Sequence, residues 1–332
     1  NIIKRPYLAQ SWRMMIPLEG RRNNEAWGCE QTISPKCEYD EKKVSFTWDK
    51  ITSRFGGEHN ITVQTTCEIK NNQAVFGMHI QNNDNHMVEN VFYPYIGDLY
   101  RPTDCNRFSF QHGAYMGMRE YEMYPTFPNC HGTHSVDYPT ICPEDYVVPP
   151  NSPFGLISDD NGNGLYIGMA EKRLEAATWH AEYLPGWRDS NNNRVFEEDK
   201  IGDKDTYIRF AVGHMPFIAP NTEFDLLPFS MEAYKGSWYT GASCYTKVSK
   251  QWNVFPETVP QWARNPHSWL QIQINSPEDE LRMQFKDLPK VGAECKKYGV
   301  EAIQLVGWNK GGQDRGNPSH DPDPRLGTFE EL

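Results

Sequence analysis

SWLQIQI (residues 268–274) and VEAIQLVGW (residues 300–308) flank a segment in which Leu288, Val291, Cys295 and Tyr298 recur on one helical face. Gly299 then stops the helix by permitting a left-handed cap. The first run alternates and the second is mostly continuous in apolar residues, as expected of a strand covered on both faces. The order strand, helix, strand predicts a βαβ unit with parallel strands. Thr328 and Glu331 fit the S/T-x-x-E capping box, so a second helix is expected to start there. Parallel strands require covered faces and edges. Residues 268–332 hold only two of them, against about 250 residues and eight strands for a closed (β/α)8 barrel. The expectation is therefore the first βα units of a barrel that is incomplete in this chain, its remainder supplied by the same gene or a second chain.

Upstream the hydrophobic period is two. KVSFTW (43–48) precedes ITVQTTCEI and AVFGMHIQN, an expected hairpin with KNNQ at its turn, and GLYIGMA, TYIRFAVGHM and EFDLLPFSMEAY follow. Many such strands between turn residues predict a mainly β fold, with a large antiparallel β-sandwich over residues 1–235. Residues 100–153, rich in Pro, Tyr, Cys and His, read as long loops packed along one edge. In SWYTGASCYTKVSKQW, Ala242, Tyr245, Val248 and Trp252 recur at helical spacing before a Pro-interrupted connector. Residues 236–267 are accordingly expected to form a helical, Pro-rich linker before the barrel start at 268–332.

The segment after Val306 leaves a strand at its carboxyl end, where barrels of this kind gather function. Trp308 offers a flat face for a pyranose ring, Gly311 and Gly312 allow close backbone approach, and Asp314, Arg315, His320 and Asp321 supply donors and acceptors, with Asp323 beside them. Trp308, Asp314, Arg315, His320 and Asp321 are the candidate substrate-binding residues. Each also has a plain structural use, as turn residue, loop-holding ion pair or packing group.

The runs EAYKGSWYTGASCYTKVSKQW (232–252) and GVEAIQLVGWNKGGQDRGNPSHDPDPRLGTFEEL (299–332), with VENVFYPYIGDL (88–99), resemble glycoside-hydrolase-like families in which a β-sandwich precedes a (β/α)8 barrel, broadly of α-galactosidase type. The resemblance implies a carbohydrate substrate and a pair of carboxylates, ~5–5.5 Å apart for retention or ~6.5–9.5 Å for inversion. In such barrels the pair follows later strands, so the catalytic residues are unassigned and expected beyond Leu332. The alternative is a non-catalytic carbohydrate-binding or structural sandwich, with a surface aromatic cluster drawn from Trp179, Trp187, Trp238 and Tyr239.

A formal net charge of -11 leaves no broad basic footprint, so nucleic acid is not an expected partner, and no apolar run reaches the 18 residues needed to span a bilayer. No cofactor or metal is expected. Cys130, His131, His134 and Cys142 fit no familiar zinc spacing, and a Cys130 to Cys142 disulfide or free thiols account for the cysteines more simply. Cys29 and Cys37 are close enough to bridge, whereas Cys67 on a strand and Cys295 on a helix suit free thiols. Asp159, Asn161, Asn163 and Gly164 begin a calcium-loop pattern that fails at Ala170, so a tight turn is expected instead. A secreted, periplasmic or lumenal location is favoured.

Overall fold

A computed structural model describes residues 12–99, 102, 104–114, 117–123, 132–133, 135–136, 138–141, 152–173, 175–184, 207–252, 256–265, 267–316 and 320–332. The Cys130–Cys142 stretch and Trp187 lie outside these residues, apart from short strand pieces within 132–141. Two compact units divide between Trp252 and Asn253.

The first unit begins with β1 (Arg13–Met15), β2 (Glu25–Trp27), β3 (Lys36–Tyr39), β4 (Lys43–Trp48), β5 (Ile51–Ser53) and β6 (Gly57–His59). A long hairpin follows, β7 (Ile61–Lys70) and β8 (Gln73–Asn82), and then β9 (Val91–Leu99), β10 (Phe108–Ala114) and β11 (Gly117–Glu122). Next come β12 (Gly132–Thr133), β13 (Ser135–Val136), β14 (Tyr138–Ile141), β15 (Phe154–Asp159), β16 (Asn163–Met169), β17 (Ala177–Leu184) and β18 (Tyr207–His214). The unit closes with β19 (Thr222–Asp225), β20 (Phe229–Lys235) and helix α1 (Trp238–Ser249).

These strands form two main antiparallel sheets. One runs β12-β17-β18-β9-β1-β2 and the other β11-β10-β15-β16-β20-β8-β7-β4-β3, with β19 also paired to β8. Period-two alternation places Ile61, Val63 and Thr65 of β7 inward. Leu99, Trp179, Ile208, Phe210 and Val212 of the first sheet pack on Phe108, Phe110, Ile157, Ile167 and Phe229 of the second. A second lobe joins Trp12, Met14, Val91 and Tyr93 to Trp48, Ile61, Val63, Met78 and Ile80. This is a mainly β sandwich with its core between the sheets.

The β7–β8 turn forms where the Asn pair predicts it. Asn71 and Asn72 have φ of 51° and 66°, which two-residue hairpin turns require and Asn tolerates. The expected calcium-like segment is likewise a tight turn between β15 and β16, with Asp159 Oδ1 accepting from the amides of Asn161 (2.9 Å) and Asn163 (2.8 Å).

Several expectations are corrected. Residues 108–122, read as loop, contain β10 and β11, whose backbone extends the larger sheet. EFDLLPFSMEAY is two strands along β8: Pro228 lacks the amide a continuous ladder needs, so β19 pairs with residues 79–82 and β20 with 74–76. Cys29 and Cys37 form no disulfide with each other, and Cys67 and Cys295 are free as expected. Trp179, which the alternative of a binding sandwich places in a surface aromatic cluster, is 3% exposed. Helix α1 covers the outer face of the larger sheet, where Cys244 and Tyr245 meet Phe154, Leu156, Tyr166 and Tyr234. There Gly241 is required, because a Cβ would stand 2.7 Å from Leu156 Cδ2.

The second unit contains α2 (Gln261–Arg264), β21 (Trp269–Gln273), α3 (Leu288–Lys297) and β22 (Ala302–Val306). β21 and β22 pair in parallel, from Trp269 opposite Ala302 to Gln273 opposite Val306, which is the expected βαβ order. Ile274, Phe285 and Leu326 form the buried centre, joined by Ile272, Leu288, Leu305 and Trp308. Coverage is less complete than the apolar run implies: Trp269, Leu270 and Ile303 are exposed, and Tyr298 stands off the helix face in solvent. Thr328 and Glu331 make both capping-box hydrogen bonds, yet residues 329–331 form only a turn.

Phe110 is fully buried, with ring centroids of Phe210 and Trp179 at 5.0 and 5.6 Å. Phe110→Ala is expected to destabilise the sandwich by ~3–5 kcal/mol in urea unfolding, while replacement of exposed Tyr39 by Ser changes it by less than ~0.5 kcal/mol.

Candidate functional site

The site is built at the carboxyl ends of β21 and β22. After Val306 the chain turns sharply at Gly307, whose φ is 74° and where a Cβ would lie 2.0 Å from the Asn275 carbonyl oxygen. Only glycine fits that approach. The loop then doubles back as a hairpin. The Lys310 amide donates to Asp321 O (2.7 Å), the Asp323 amide donates to Trp308 O (3.0 Å), and Asn309 bridges Pro322. Its tip is pinned from inside, since buried Asn309 donates through Nδ2 to Arg315 O.

An ion-pair lattice clamps this hairpin to the loop after β21. Asp323 is 1% exposed and accepts from Arg325 Nη2 (2.7 Å), Nε (3.0 Å) and the Arg325 amide (3.0 Å). The same guanidinium reaches across to Asp279 at 2.7 and 2.9 Å. Asn275 Nδ2 donates to Asp279 Oδ1 (3.1 Å). Hydrogen bonds from Arg325 hold both carboxyls below the usual carboxylate range, assisted at Asp279 by Asn275; at Asp323, burial pulls the other way and loses. The paired carboxylates raise Arg325 in turn. Asn275 itself is fully buried, and its Oδ1 has no hydrogen-bond partner among the described residues. Beside it Gln273 accepts from Arg282 Nη1 (2.6 Å) and donates to Gln313.

The five residues singled out from the sequence lie on the chain that follows β22, and two of them are in ring contact. Trp308 is half-buried against the unit's core, and its ring stacks on His320 with centroids 6.3 Å apart at 28°. Asp314 and His320 are exposed and hold positive φ of 61° and 50°. Arg315 and Asp321 are exposed as well. Trp308 and His320 therefore meet, while Asp314, Arg315 and Asp321 are exposed residues of the same loop. Sequence reading missed Asn275, Asp279 and Arg325, although Asn275-Ser276-Pro277-Glu278-Asp279 follows β21 as directly as the chosen loop follows β22. The rule that selected one carboxyl end selects both.

Together these groups present an aromatic ring, amide and guanidinium donors and several carboxylates on neighbouring loops. Such an arrangement suits a polyhydroxylated, uncharged ligand better than an apolar one.

The fold resembles that of solved structures at low sequence identity. It matches the α-N-acetylgalactosaminidase of Bifidobacterium bifidum in its GalNAc complex with a TM-score of 0.56 and 11% identity, over 97% of this chain and 50% of that chain. The same enzyme in complex with Gal-NHAc-DNJ gives 0.56 and 12%, over 96% and 50%. A GH36 α-galactosidase from Geobacillus stearothermophilus gives 0.46 and 13%, over 88% and 38%. No family model and no curated protein matches by sequence. At these identities the likeness is one of fold, and the chain spans about half the length of the solved structures named first.

Two outcomes test the loop architecture. Gly307→Ala is expected to destabilise the second unit by at least ~1–2 kcal/mol from the left-handed backbone alone, before the clash with Asn275 adds to it, as read by thermal unfolding. Because Asp279 and Asp323 are depressed in the fold, their contribution is complete above the unfolded carboxylate value of ~3.9 and is lost as pH falls through the folded values. In Arg325→Gln, carboxyl carbon NMR titration should return both groups toward the ordinary range, and unchanged titration would contradict the clamp.

Proposed function

We propose that the chain is the N-terminal portion of a glycoside hydrolase acting on a carbohydrate, with the sugar held over the loops that follow β21 and β22. The carrying observation is the parallel pair itself: its carboxyl end bears the polar loops, while its exposed Trp269, Leu270 and Ile303 leave surface for further strands to cover. The fold likeness to an α-N-acetylgalactosaminidase over both units supports the same reading and suggests a galactose-configured, N-acetylated sugar as the first ligand to try.

In this reading Trp308 is the stacking platform and Asp314, Arg315, His320 and Asp321 bind hydroxyls. Asn275 adds a buried acceptor. The catalytic carboxylates come from strands that continue the sheet, whether from the same polypeptide or from a partner, and the chain by itself binds without turnover. A binding-only sandwich is the second reading. It is favoured by Trp238 and Tyr239, whose exposed rings stack at 3.8 Å and offer a separate sugar platform.

The chain should bind methyl N-acetyl-α-D-galactosaminide in NMR titration, and Trp308→Ala should weaken binding at least ~10-fold, equivalent to ~1.4 kcal/mol. Asp314→Asn should weaken it further in combination. Affinity untouched by both changes but lost in Trp238→Ala moves the ligand to the sandwich and removes the barrel-loop assignment. Hydrolysis of an aryl α-glycoside is expected only from a polypeptide or complex with the added strands.

A further inference from the structure

The crossover between the two sheets carries a cluster that the carbohydrate reading does not use. His59 ends β6, and Asp84 and His86 lie on the loop that takes the chain from β8 in the larger sheet to β9 in the smaller one. One potential ligand atom from each residue falls within 4.8 Å of the others. His59 Nδ1 faces Asp84 Oδ1 at 3.4 Å, His86 Nδ1 lies 2.6 Å from the same oxygen, and the two imidazoles stand edge to face with centroids 5.4 Å apart.

Two observations separate this cluster from a chance meeting of surface groups. His59 is 1% exposed, and its Nδ1, aimed at Asp84 from 3.4 Å, makes no hydrogen bond among the described residues. A buried imidazole nitrogen left unpartnered costs free energy that a bound ligand restores. The surroundings are also built to hold the ring. Ser53 Oγ fixes His59 Nε2 at 2.8 Å and is itself held by Asn24 Nδ2 (2.9 Å) and the Gly56 amide (3.0 Å). Glycine at 56 leaves the ring and hydroxyl undisturbed, since a Cβ there would come to 2.7 Å from both His59 Nε2 and Ser53 Oγ and one of them would have to shift.

Asp84 is prepared in the same way. Its Oδ2 accepts from the Asn60 amide (3.0 Å) and its Oδ1 from the His86 amide (3.0 Å), while Asn82 Oδ1 accepts from the Asp84 amide (3.1 Å). Asn82, fully buried, also anchors the loop by donating to His86 O at 2.9 Å.

The geometry points to a zinc-class divalent metal site formed by His59, Asp84 and His86, with its fourth position open to water. Two nitrogens and one carboxylate oxygen select such an ion over calcium or magnesium, which prefer oxygen alone. Bonds of ~2.0–2.2 Å to a tetrahedral ion put ligand atoms ~3.3–3.5 Å apart. The His59 to Asp84 spacing already meets this. His86, whose side chain is 41% exposed, needs only to release its hydrogen bond to Asp84 and swing outward. In the loaded site His59 Nδ1 presents its lone pair, so the ring proton sits on Nε2 and Ser53 Oγ gives up one of its two present donors, Asn24 Nδ2 or the Gly56 amide, to accept it as the outer hydrogen bond. The ion would staple the β5–β6 hairpin to the loop that joins the two sheets.

The test is titration of the 332-residue chain with zinc chloride at pH 7.5 by calorimetry, with melting temperature followed in parallel. One zinc per chain is expected with Kd near or below ~10 μM, a dissociation constant equivalent to ~7 kcal/mol, and a melting temperature that rises with zinc. His86→Ala should abolish the stoichiometric binding and the thermal shift without altering the zinc-free fold. Ser53→Ala should weaken binding ~10–100-fold, and His79→Ala, remote on β8, should leave it intact. Absence of zinc uptake by the unaltered chain, or uptake that persists in His86→Ala, overturns the assignment.

Discussion

Five residue pairs tie Trp269–Gln273 to Ala302–Val306 in the parallel sense, and that pairing constrains the rest of the second unit. A parallel pair needs a crossover, which α3 supplies, and it aligns both carboxyl ends on one side. The chain leaves each strand there into polar loops, and the close approach of Gly307 to the Asn275 carbonyl locks the two exits together. Asp279, Arg325 and Asp323 then fasten the loops to one another, so groups distant in sequence share a surface. The same geometry leaves strand edges and apolar side chains in solvent, a condition parallel sheets otherwise avoid.

The sandwich solves the opposite problem. Its antiparallel strands connect through short turns, bury their inner faces in two aromatic-rich lobes and cover part of the outer face with α1. The larger buried clusters lie in the first unit, where rings such as Phe110, Phe210 and Trp179 interlock. Chemical groups gather at its loops and at the ends of the parallel pair. The His59, Asp84 and His86 cluster sits where the chain changes sheets, a point that must be fixed if the two layers are to keep their register.

Much of this was legible in the sequence because it rests on local rules. Alternation identified β7, β8, β16 and β18; the Asn pair marked the hairpin; Gly299 closed α3; and the strand, helix, strand order announced the parallel unit. What escaped was long-range. Whether 108–122 is loop or strand depends on a neighbouring edge at β15, and whether Trp179 faces solvent depends on a second sheet that its own alternation does not reveal. At the site, Trp308 was readable from its place after a strand, but the Asp279 to Arg325 contact spans 46 residues and His59 meets Asp84 only after folding. The doubling back of this loop follows from hydrogen bonds between its arms, which spacing does not encode.

Amide hydrogen exchange over residues 268–274 and 300–306, compared between the protein as purified from its source and the isolated 332-residue chain, addresses the parallel pair most directly. Added strands on the free edges predict markedly slower exchange in the source protein at both segments, with the sandwich hairpin β7–β8 unchanged. Equal exchange in the two samples would mean that nothing completes the sheet, and the barrel-based account of the site would not stand.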